Sequence, residues 1–110
     1  MIETKLIGFL GDELDLYVGM EPPEQLTDYV LIDKTGSSRT NHIITSSIAI
    51  QSYGSSLYDA MVLNQSVEEA MERFLELPDI IRVELETDYN FTNTATKQYR
   101  WQAVYSVTHY

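Results

Sequence analysis

The sequence predicts an α+β domain: an antiparallel-rich, mixed sheet of about five strands, with a long central helix and a short N-terminal helix packed on it. Three observations lead there. The run Ile43–Tyr53 is mostly β-branched, small or aromatic, and it places Ile48 and Ile50 on one face of a strand. It turns directly into an amphipathic stretch where Leu57, Ala60, Met61, Val67, Met71, Phe74 and Leu75 recur at helical spacing. Around this pair, further stretches alternate with period two, and the elements read α-β-β-β-α-β-β across residues 1–110 as a single domain.

Taken in order, Met1–Leu14 sets Ile2, Leu6, Phe9 and Leu10 near one helical face, with Gly11-Asp12 as the expected stop. Asp15–Met20 alternates as a short strand, closed by Pro22-Pro23, which imposes an extended connection lacking two amide donors. Asp28–Thr35 alternates again, with Tyr29, Leu31 and Asp33 opposite Val30, Ile32 and Lys34. The polar stretch Gly36, Ser37, Ser38, Arg39, Thr40, Asn41 and His42 is expected to be a hairpin loop, longer than a tight turn needs. Gly54 relieves a turn that a Cβ would hinder, Ser55 or Ser56 caps the long helix, and Pro78 ends the segment. Arg82–Tyr89 puts Val83, Leu85, Thr87 and Tyr89 on one face against Arg82, Glu84, Glu86 and Asp88. It should pair with Tyr99–Tyr110 through the polar turn 90–97.

Composition narrows the function classes. There is no cysteine, which removes disulfides, thiolate metal sites and cysteine nucleophiles together. Seven Lys and Arg face seventeen Asp and Glu, for a net charge of −10, so phosphate-driven nucleic-acid binding is not expected. No run reaches the length of a membrane span and no signal-peptide core stands at the N-terminus, so a cytoplasmic protein is expected. His42 and His109 are the only imidazoles and no G-x-S-x-G elbow exists, so nucleophilic catalysis has little support; loop and chain-end positions predict solvated rings. Glu68, Glu72 and Glu76 fall on one helical line as a solvated acidic ridge. No calcium-loop or phosphate-loop pattern accompanies the carboxylates or Gly36–Thr40, so neither metal nor cofactor is expected. The aromatic residues Tyr89, Phe91, Tyr99, Trp101 and Tyr105 alternate with polar neighbours, which assigns them to the sheet first.

Several segments carry a resemblance. Asp33–Ile43 (DKTGSSRTNHI), then Ser47–Ser55 (SIAIQSYGS), then Asp88–Phe91 (DYNF) and Tyr99–Gln102 (YRWQ) look like the tail terminator and tail-completion proteins of long-tailed bacteriophages and prophages. The stretch Leu16–Glu24 (LYVGMEPPE) fits the same pattern, so the likeness spans nearly the whole chain. It departs at Ser37, where the family often has a second glycine, which leaves the turn type open. The resemblance implies a non-enzymatic subunit of a ring, generally a hexamer, that caps the tail tube, stops its polymerisation and meets the head-side connector. Its expected partners are copies of itself, the tube protein and the head-closure protein, first in the host cytoplasm and then in the virion neck. Contacts are expected from loops 36–42 and 90–97, the latter through Asn90, Phe91, Thr92 and Asn93. Glu68, Glu72, Glu76, Glu84, Glu86 and Asp88 are the acidic residues expected to face a lumen through which DNA passes without adhering. Other neck proteins or a tube subunit are the nearest alternatives. A small-ligand or enzymatic α+β domain using the aromatic face with Arg100 or His42 is the alternative of another class.

Overall fold

A computed structural model describes residues 1–110. The elements are α1 (Ile2–Leu14), β1 (Val18–Gly19), β2 (Tyr29–Thr40), β3 (Ile43–Gly54), α2 (Leu57–Phe74), β4 (Ile80–Asn90) and β5 (Tyr99–His109). The five strands form one sheet in the order β1-β2-β3-β5-β4, antiparallel throughout except for the short β1–β2 pair. This is the α+β architecture expected from the sequence.

Both helices lie on one sheet face. Their buried residues Leu6, Leu10, Val67, Met71 and Phe74 meet Val30, Ile32, Ile48, Ile50, Ala103, Tyr105 and Val107 in a single core. Each large side chain buried there contributes roughly 1.5–3 kcal/mol. The rings of Phe9 and Phe74 tilt together at 5.1 Å and lock α1 to α2. The opposite face carries only a small cluster of Tyr29, Leu31 and Tyr53, with the two tyrosine rings stacked at 4.5 Å.

Local chemistry explains the helix ends. Ser56 is the N-cap of α2, its hydroxyl accepting from the Asp59 amide at 3.1 Å. A Cβ on Gly54 would sit 2.5 Å from the Ala60 backbone nitrogen, so glycine allows β3 and α2 to meet closely. α1 runs through Gly11, the expected stop, and ends at Leu14, where Asp15 adopts the left-handed conformation and donates its amide to the Gly11 carbonyl at 3.0 Å. α2 ends at Phe74, short of Pro78, and its last turn tightens through the Glu76 amide on the Arg73 carbonyl at 3.0 Å. The apolar stripe of α2 is narrower than the spacing predicted: Leu57, Met61 and Leu75 are exposed, while Ala60, Asn64, Val67, Ala70, Met71 and Phe74 face the sheet.

Three strand readings are corrected. Residues 36–42 are not a loop: β2 continues to Thr40, paired with β3 past a bulge at Thr35, and only Asn41 and His42 turn. Both have positive φ, 52° and 67°, the geometry of the tight hairpin turn whose twist suits its strands. The Gly36–Thr40 stretch is polar because it is exposed, and exposure is a separate property from irregular backbone. In β4, a bulge between Leu85 and Thr87 reverses the alternation. Val83, Leu85 and Asp88 therefore face the helices, whereas Thr87 and Tyr89 join Glu84 on the uncovered face. The strand near Met20 shrinks to Val18–Gly19.

Candidate functional site

The sheet has two open edges, and they differ in charge. β1 covers β2 only at Val30 and Leu31, so the backbone from Ile32 to Thr40 has no outer partner. β4 is the opposite edge along its whole length. Such edges present unpaired amides and carbonyls that can template another strand.

On the helix-covered side, the β2 edge presents Lys34, Ser37 and Arg39, in register with Ile48, Ser46 and Ile44. With Lys5 they line a cavity of about 610 Å³, the main concentration of basic side chains in this acidic chain. Lys5 is paired with Asp79, whose carboxyl its hydrogen bond holds below the usual range, and Lys34 lies 3.5 Å from Glu3. Arg39 pairs with no acid. His109 ends β5 in the same cavity, buried and 3.0 Å from the Ser46 hydroxyl through Nε2, which corrects the expected solvated ring.

The β4 edge carries the opposite sign. Between α2 and β4 lies a groove of about 320 Å³, walled by Met71, Leu75, Val83 and Leu85 and lined by Glu68, Glu72 and Tyr105. At its upper end Asn64 Nδ2 donates to Asp88 Oδ1 at 3.1 Å and reaches Glu68 Oε1 at 3.5 Å. The Trp101 indole N–H also donates to Asp88. The Glu68 carboxyl is pushed up to about 7, first by its hydrogen bond with Asp88, then by burial and by the Asp88 charge. Burial, and then Glu68, Asp88 and Glu72, push the Tyr105 phenol upward. Asn64 Oδ1 and the Tyr105 hydroxyl are both buried without a hydrogen-bond partner.

The residues expected to make contacts are thus spread out. Asn41 and His42 stand at one end of a molecule 44 Å long, and the 90–97 turn stands at the other. That second turn is well braced: Asn90 Oδ1 accepts from the Thr92 amide, and Asn93 Oδ1 accepts from those of Ala95 and Thr96. Arg100 covers the Phe91 ring at 4.4 Å and donates to the Phe91 carbonyl, so Arg100 and His42 cannot share a site. Of the six acidic residues, Glu68 and Asp88 converge, with Glu72 beside them; Glu84 pairs with Arg82 on the uncovered face, and Glu76 and Glu86 are simply exposed. The ridge is not fully solvated, since Glu68 is half-buried.

Sequence reasoning overlooked Asn64 and Trp101 as hydrogen-bond partners of the carboxyl pair, and Tyr105 as the ring beside it. Asn64 carried a signal, being a polar residue four positions after Ala60 and three before Val67 inside the apolar stripe. No three His, Asp or Glu side chains stand close enough to hold a metal ion, and no helix is long and apolar enough to cross a membrane. A scan against protein-family models finds no match, and no curated protein matches the chain in sequence.

Proposed function

We propose that this chain is a structural subunit of a long-tailed bacteriophage: a ring-forming tail terminator that caps the tail tube, halts its growth and meets the head-side connector. The observation that carries the proposal is the pair of open sheet edges with opposite charge on one side of the sheet. β2 and β4 run in opposite directions within the sheet, so the β4 edge of one copy meets the β2 edge of the next as an antiparallel pair. A contact between two different patches is head-to-tail, and when its rotation closes it makes a ring. The tail context comes from the resemblance of residues 33–55, 88–91 and 99–102 to tail terminators. A net charge of −10 suits an annulus through which DNA passes without adhering. The partners are then further copies, the tube and the head-closure protein, and no chemical step is involved.

The purified protein, titrated upward in light scattering, should reach about six times the 12.6 kDa subunit mass and should bind the ends of tail tubes. Tails assembled without it should be overlong. Absent tubes would make it a tube subunit, and a chain that stays monomeric and ignores tubes at every concentration would overturn the proposal.

A further inference from the structure

We propose that the α2–β4 groove receives the Arg39 side chain of a neighbouring copy, a placement that rests on the ring proposed above. The groove is built for a long, amphipathic cation. Leu75 and Leu85 offer apolar wall for an alkyl stem, and Glu68 and Glu72 stand at the charged end. Inside, the Tyr105 hydroxyl is buried with no partner within the chain. Buried acceptors of that kind are costly unless a donor arrives from elsewhere. A guanidinium brings five donors in a planar fork and no acceptor, which matches a wall of carboxyls and lone pairs.

The chain contains one cation suited to the task. Lys5, Lys34, Arg73 and Arg82 each pair with an acid of their own subunit, and Arg100 is tied to the Phe91 carbonyl and the Tyr53 hydroxyl. That leaves Arg39 and Lys97. Lys97 belongs to the connection between β4 and β5, whereas Arg39 stands on the free edge of β2. Its register with Ile44 also puts it on the helix-covered side, the side on which the groove opens. Extending the sheet from copy to copy keeps that side common to every subunit, so Arg39 of one meets the groove of the next.

Sedimentation of Arg39→Glu, Glu72→Arg and the double charge swap tests this directly. Both positions are exposed, so the variants should fold, with circular dichroism as the check. Each single change should weaken self-association roughly thirtyfold, and the swap should recover most of it. Lys97→Glu should assemble like the unmodified chain. Unchanged assembly of Arg39→Glu, or a swap as weak as the singles, overturns the placement while leaving the ring intact. An unmodified chain that never self-associates removes the ring and the groove's occupant together.

Discussion

Helix α2 meets the sheet along two seams of different chemistry. Toward β3 and β5 it presents Val67, Ala70, Met71 and Phe74 to Ile48, Ile50, Ala103 and Val107, so the large side chains of that seam are apolar. Toward β4 it presents Asn64 and Glu68 to Asp88, with Trp101 donating from β5. One helix thus holds the fold together on one flank and, on the other, sets carboxyls beside the unpartnered Asn64 Oδ1 and Tyr105 hydroxyl. A half-buried polar seam adds little stability over an apolar one of the same size, and is costly where its buried acceptors are empty. A flank that sacrifices stability beside an open edge is where a second molecule gains most by docking.

The contrast breaks first on the apolar seam. Phe74→Ala should cost about 3–5 kcal/mol, because the ring is fully buried and both α1 and the sheet pack against it. Urea melts would read the loss as a lower midpoint at unchanged slope. Gly54→Ala comes next, at about 1–3 kcal/mol, since the added carbon meets backbone of Asp59 and Ala60 that cannot swing aside. On the polar seam, Asn64→Ala should cost only about 1–2 kcal/mol: it removes a donor from Asp88 but also an acceptor that has no partner. A larger loss at Asn64 than at Phe74 would erase the distinction between the flanks.

The two seams were also unequally legible in the sequence. Ile48, Ile50, Val67, Met71 and Phe74 announce themselves by period alone, because strand and helix spacing are local properties. Ser56 and Gly54 are legible for the same reason: cap and close turn are decided by neighbouring residues. Asp88 was assigned to the wrong face because a bulge at residues 85–87 inverts every position after it, and no local pattern marks that bulge. The polarity of Gly36–Thr40 suggested a loop where there is an exposed strand, since a free edge with no cover needs no apolar face. The charge difference between the two edges was out of reach, as it depends on the strand order β1-β2-β3-β5-β4.

The smallest effect sharpens the contrast most, because only the polar seam titrates. Glu68 has an ordinary value of 4.5 and in the fold is pushed up to about 7, with Glu72 on its own helix, Asp88 on β4 and Tyr105 on β5 facing it. Between those values the folded chain holds a proton that the unfolded chain has released. Stability from this group is therefore complete below about pH 4.5, falls as pH rises, and is gone above about pH 7. Because Glu68 is only half-buried, solvent screening keeps the whole change under about 1 kcal/mol. Glu68→Gln is neutral at every pH and keeps the side chain's shape, so it should remove this slope. Its stability relative to the unmodified chain should rise between about pH 4.5 and pH 8 in urea melts, whereas Phe74→Ala should keep a constant deficit across that range. A Glu68→Gln difference that does not move with pH would mean that the carboxyls of Glu68 and Asp88 do not share a proton, and that the polar seam behaves like its apolar neighbour.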